Sequence, residues 1–101
     1  MEKWADYIIV GVNYNKEPRH INKVEIYDDT GTNVSNLRRL PREDIVRFLK
    51  SYKKIITAYK NKEGKLKKGD KVEIFVVRDK EYIKTEGNNK EEDNLGDLPE
   101  F

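Results

Sequence analysis

Cysteine is absent and histidine occurs once, at position 20, in a chain of 101 residues. Without cysteine there is no disulfide framework, no thiolate zinc site and no cysteine nucleophile. One imidazole excludes any centre that needs two. Glutamine is missing as well, while asparagine occurs nine times and lysine outnumbers arginine 15 to 6, the bias an AT-rich coding sequence gives. That many thermolabile asparagines argue against reading the charge as thermophilic adaptation. No apolar run approaches the ~18 residues of a membrane span. The N-terminus lacks the charged, apolar, then small order of a secretory signal. The expectation is a cytoplasmic protein with no membrane partner and no cofactor.

What is present is charge. Charged residues make up 40% of the chain, yet Lys+Arg 21 against Asp+Glu 19 leaves a net of only +2. The length supports a single domain, residues 1–101, burying about 65% of the unfolded chain's surface. Within it the signs are unevenly placed. Residues 88–101 set Lys90 against Glu91, Glu92, Asp93, Asp97 and Glu100, a net −4, which leaves +6 on residues 1–87. The expected organisation is a body at 7–87 and an acidic tail at 88–101. Such asymmetry points to a polyanion partner, a self-docking tail, or both.

Alternation marks the first strands. Ile8, Val10, Val12 and Tyr14 fall on one side of an extended chain, with Tyr7, Ile9 and Gly11 on the other. Asn13 to His20 is polar and holds Pro18, which predicts a loop. A second strand runs from about Ile21 to Tyr27, with Val24 and Ile26 facing in, and the short connection favours an antiparallel hairpin. Asp28 to Gly31 reads as a turn. From Pro41 the period becomes helical: Ile45, Phe48, Leu49 and Tyr52 lie at i, i+3, i+4 and i+7. Pro41, Glu43 and Asp44 suit the start, and Lys50, Lys53 and Lys54 suit the end. Ile55 to Tyr59 reads as a short strand, and Lys60 to Lys71 as a lysine-rich connector. Val72 to Arg78 has the nearly unbroken apolar run of a strand buried on both faces. Asp79 and Lys80 reverse the chain before a closing strand at Glu81 to Glu86. The order β-β-α-β-β-β predicts an α+β fold, one helix covering one face of a mostly antiparallel sheet.

The closing residues carry a resemblance. Tyr82-Ile83-Lys84-Thr85, then Glu92-Asp93-Asn94-Leu95-Gly96-Asp97-Leu98-Pro99-Glu100-Phe101, resemble the end of the domain-of-unknown-function 3892 family. Those are small, mostly prokaryotic proteins that finish with Y-I-[RK]-T and a D-N-L-x-x-L-P tail. The resemblance spans roughly residues 7–101, and its specific part is the tail. This chain differs in its longer lysine-rich connector and in lacking a Ser or Thr N-cap before Pro41. The resemblance implies a shared fold and no assigned activity. Physically, Leu95, Leu98, Pro99 and Phe101 are too apolar for a solvated acidic end. The tail is therefore expected to dock on the sheet or helix, its acids rimming the contact. The alternatives are a frayed terminus and a peptide offered to a protein partner.

Candidate chemistry is sparse. Asp29-Thr30-Gly31-Thr32 matches the Asp-Thr-Gly-Ser/Thr signature of aspartic proteases, where two subunits bring together two carboxylates sharing one proton. Here Tyr27-Asp28 precede the Asp instead of apolar residues, and no hydrophobic-Ile-Gly strand follows. A turn is the preferred reading, and a dimeric Asp29 hydrolase the alternative. His20 has a titration range suited to proton transfer, but Ser35 and Ser51, the only serines, sit in no nucleophile elbow. Asp28 and Asp29 lack the alternating oxygen ligands of a calcium loop. Gly64 to Gly69 reverses the order of a phosphate loop. No catalytic residue and no metal site is assigned.

The basic residues are the better candidates. Lys60, Lys62, Lys65, Lys67, Lys68 and Lys71 against Glu63 and Asp70 give a net +4 in twelve residues. Arg38, Arg39 and Arg42 lead into the helix, which adds Arg47, Lys50 and Lys54. Meeting on one surface, they would attract phosphates without reading sequence, with Tyr7, Tyr27 and Tyr59 as stacking platforms for single strands. The competing account is that lysines solubilise a hairpin tip and blunt an edge. The sequence thus predicts a small non-enzymatic binding or interaction module, its ligand or partner open, with weak nucleic-acid binding as the first alternative.

Overall fold

The computed structural model describes residues 5–15, 20–29, 34–85, 92–96 and 98–101, with backbone alone at 34–36. Its elements run β1 (Tyr7–Tyr14), β2 (Ile21–Asp29), β3 (Val34–Pro41), α1 (Arg42–Lys50), β4 (Ile55–Lys60), β5 (Leu66–Lys71), β6 (Glu73–Val77) and β7 (Lys80–Lys84). A five-stranded sheet has the order β3-β2-β1-β4-β5, and β6 and β7 form a second sheet of two strands. The expected α+β class and the antiparallel β1–β2 hairpin both hold. β1 and β4 pair in parallel, and α1 makes the crossover from β3 to β4 that parallel strands need. No helix among the described residues is long and apolar enough to cross a membrane.

β1 departs from simple alternation. Its register with β2 shifts between Ile9 and Gly11, leaving Val10 as an extra residue. A bulge of this kind turns the following side chains over. Tyr7 and Ile9 before it, and Val12 and Tyr14 after it, therefore pack in the same core cluster, while Ile8 and Val10 belong to the other face. The single apolar side expected for Ile8, Val10, Val12 and Tyr14 is corrected accordingly.

The main cluster joins Ile9, Val12, Val24, Ile26 and Ile55 of the sheet to Ile45 of α1 and Ile83 of β7. Around Ile45, the half-buried Val46, Phe48 and Leu49 complete the inner face of α1, and the Phe48 ring stacks on Tyr7 with centroids 4.4 Å apart. The helix ends sooner than its apolar stripe suggests. Tyr52 has φ 64° and is 95% exposed. Tyr52 N–H donates to Leu49 C=O at 3.2 Å and Lys53 N–H to Phe48 C=O at 3.0 Å, closing a Schellman motif.

Three further expectations change. Val34–Pro41, a stretch given no strand in the sequence reading, is a strand at one edge, and the lysine-rich connector contains the strand at the other. The apolar run of β6 is not a central strand: among the described residues it pairs with β7 alone, and Val76 is 66% exposed. A two-residue loop, Arg78 and Asp79, both at positive φ, joins these strands as a type I′ turn. Asp28 and Asp29, read as turn residues, belong to β2 instead, and Thr30 and Gly31 of that reading lie outside the described residues.

Candidate functional site

After Ile9, β4 leaves β1, since their pairing is confined to Tyr7–Ile9 against Ile55–Thr57. The vacated stretch of β1 takes the tail instead. Val12 N–H donates to Pro99 C=O at 3.0 Å and Phe101 N–H to Val12 C=O at 3.1 Å, a parallel bridge. Further back, Asn94 N–H donates to Ile83 C=O at 2.9 Å and Thr85 N–H to Asn94 C=O at 3.1 Å. The tail thus ties the β6–β7 sheet to the five-stranded sheet. Between these contacts Gly96 takes φ +79°, its N–H donating to Asn94 Oδ1 at 2.9 Å, an Asx turn that a side chain at that φ would strain. Leu95 and Leu98 are buried in the main cluster, Phe101 is half-buried and Pro99 exposed.

At the head of the tail, the carboxylate of Asp93 is fully buried. It accepts Ile21 N–H and Ile83 N–H, each at 2.8 Å, and Arg42 Nε at 2.8 Å and Nη2 at 3.3 Å. His20 Nδ1 lies 3.6 Å away, its ring stacked on Tyr82 with centroids 5.7 Å apart. A carboxylate out of water is destabilising unless paired and fully hydrogen-bonded, and Asp93 is both. This acid does not rim the docking contact; it lies inside it. Sequence reasoning missed it, although an acid directly ahead of the apolar tail residues was a usable signal. Arg42 therefore acts as a strut between α1 and the tail, its Nη2 also reaching Glu81 C=O at 2.8 Å.

Where β4 and the tail part, a cleft of about 780 Å³ opens. Val10 and Gly11 of β1 and Glu25 and Tyr27 of β2 border it, with Leu37 of β3 beyond them. Thr57, Tyr59 and Lys60 of β4, Gly69 and Asp70 of β5, and Leu95, Gly96 and Leu98 to Phe101 of the tail supply the other walls. Leu37 and Tyr59, on strands three spacings apart in the sheet, stay 50% and 51% exposed. The volume falls within the ~300–1,000 Å³ range of small-molecule sites.

The basic residues fall into two groups along the strand order of the sheet. β3 and β5 are opposite edges of the sheet, about 19 Å apart at ~4.8 Å per strand spacing. On the β3 side, Arg38 pairs with Asp28 at 2.6 Å. Arg39 faces Glu25 at 3.7 Å and lies over the Phe101 ring, 4.5 Å from its centroid. Arg47 pairs with Asp44 at 2.8 Å, Lys50 with Glu81 at 2.9 Å and Lys71 with Glu73 at 3.2 Å. Lys54 and, on the β4–β5 ribbon, Lys60, Lys62, Lys65, Lys67 and Lys68 form no ion pair among the described residues. Of the proposed aromatic platforms, Tyr7 is taken up by Phe48, while Tyr27 and Tyr59 both line the cleft. Asp29 lies away from it, 5% exposed at the end of β2, its carboxylate accepting Ala5 N–H at 3.3 Å. Thr30 to Thr32 lie outside the described residues.

A family model described as "Protein of unknown function (DUF3892)" matches residues 8–99. No curated protein and no solved structure gives a significant match.

Proposed function

The chain belongs to that family, and we propose that it works as a non-enzymatic binding module whose ligand is a nucleic-acid backbone held by the β4–β5 ribbon. One observation carries this reading: Lys60, Lys62, Lys65, Lys67 and Lys68 stand together on one ribbon without carboxylate partners, while the cations of α1 and β3 are mostly paired. Unpaired lysines keep their counterions and release them when phosphates replace those ions. Such contacts position a strand without reading its sequence. Within the ribbon β5 is also an edge strand of the sheet, with no further strand beyond it among the described residues, a position open to a long polymer.

The test is fluorescence anisotropy with a labelled 20-nucleotide strand of mixed sequence. Five phosphate contacts on a single strand give a log–log salt slope of about −3.5. Affinity then falls about 100-fold between 50 and 200 mM salt. Changing Lys62, Lys65 and Lys67 together to Glu removes the binding. Absence of binding at 50 mM salt, or retention of full affinity by the triple variant, refutes the proposal.

A further inference from the structure

The cleft beside the ribbon is not itself suited to phosphate. Asp70 and Glu100 line it, and neither carboxylate has an ion pair among the described residues. Two uncompensated acids repel a phosphodiester. They are good acceptors for the amino and imino N–H groups on a nucleobase edge, as carboxylates are for the cytosine amino group. The same walls carry Tyr27 and Tyr59, and the Tyr59 ring is half-exposed with no ring partner among the described residues. Stacking on such a ring is tolerant of base identity and needs an unpaired base. Lys60 connects the two regions, since it lines the cleft and heads the ribbon lysines.

We infer that the cleft takes an unstacked base of a single-stranded nucleic acid, with Tyr59 as its platform and Asp70 and Glu100 accepting from its amino edge. This inference rests on the proposed backbone contact and adds strand type and base preference to it. Phosphates stay outside on Lys62, Lys65 and Lys67, and the base turns inward past Lys60. A duplex satisfies only the outer part, because its bases are stacked and paired and cannot enter. Thymine, whose edge offers one imino N–H where cytosine and adenine each offer the two of an amino group, gains least from the two carboxylates.

The experiment compares labelled 12-nucleotide dC, dA and dT strands, a duplex of mixed sequence, and heparin as a polyanion without bases. The expected order is dC and dA above dT by about 5-fold, with the duplex below all three single strands. Tyr59→Ala weakens the single strands about 10-fold and leaves heparin unchanged, while Tyr59→Trp restores them. The double change Asp70→Asn with Glu100→Gln abolishes the preference over dT. Because Tyr59 is half-exposed, the melting temperature of Tyr59→Ala serves as the folding control. Equal affinity for duplex and single strand, or no effect of Tyr59→Ala on a folded protein, overturns the cleft inference while leaving the ribbon contact intact. Failure of every polyanion to bind overturns both.

Discussion

Arg42 and Asp93, 51 positions apart in sequence, meet through two hydrogen bonds, Nε to Oδ2 at 2.8 Å and Nη2 to Oδ1 at 3.3 Å. The first residue of α1 is thereby fixed to the head of the tail, and two strand amides converge on the same carboxylate. Removing a buried acid strands its partners. Asp93→Ala leaves Arg42 and the N–H groups of Ile21 and Ile83 without their acceptor and is expected to destabilise by about 3–5 kcal/mol. In an Arg42→Ala background the same change should cost about 1.5–3 kcal/mol less, the worth of a charged hydrogen bond. Urea unfolding of the four proteins gives the cycle, and additive effects would refute the link.

Leu98 extends that fixation along the tail. Its side chain is 8% exposed in the main cluster, one residue ahead of the Pro99 carbonyl that accepts Val12 N–H. Leu98→Ala should cost about 2–5 kcal/mol from lost burial and a residual cavity. The expected reading is a lower denaturation midpoint with an unchanged slope. A cost under ~0.5 kcal/mol, the level of an ordinary surface change, contradicts docking of the tail.

How much of this could be read from the residues depended on where their partners lie. α1 and the β1–β2 hairpin were legible because their apolar spacing is local and strong. β3 was missed because Val34, Leu37 and Leu40 recur at intervals of three, and only pairing with β2 makes that segment a strand. β5 has Leu66 alone among four charged residues, so β4 dictates its conformation. β6 misled in the opposite way, since a run such as Ile74 to Val77 suits a central strand and a covered hairpin alike. At the site, the apolar tail residues were visible, but the burial of Asp93 follows from Arg42, Ile21 and Ile83, none of them near it in sequence. The opposition of the arginine and lysine groups across the sheet is a matter of strand order, which no local pattern encodes.

Three non-glycine residues among those described, Tyr52, Arg78 and Asp79, have positive φ. Tyr52 at φ 64° is 95% exposed, so its ring contributes little packing. A side chain in the left-handed region costs roughly 1–2 kcal/mol that glycine does not incur. Glycine's greater freedom when unfolded returns part of that gain. Tyr52→Gly should therefore stabilise by about 1 kcal/mol, raising the melting temperature by about 4–8 °C. Asp79→Gly, at φ 65° in the type I′ turn, should act in the same direction. A lower melting temperature in both variants contradicts this.

Gly69 reverses the sign of the same kind of reasoning. Its φ is ordinary, so space alone decides what a methyl group would do. A Cβ there would meet Thr57 Oγ1 and lie 2.7 Å from the Thr57 carbonyl oxygen. Elsewhere a Gly→Ala change at a compatible φ stabilises by about 0.4–1 kcal/mol through the unfolded chain. Here overpacking should prevail, at about 1–3 kcal/mol of destabilisation. The hydroxyl that receives Asp70 N–H at 3.0 Å is one obstacle, and the backbone carbonyl is the other. Combining Gly69→Ala with Thr57→Ala removes only the first, so most of the penalty should persist in the double variant relative to Thr57→Ala alone. If Gly69→Ala is stabilising, or if Thr57→Ala rescues it fully, the close approach of the β4 backbone is not what requires glycine at that position.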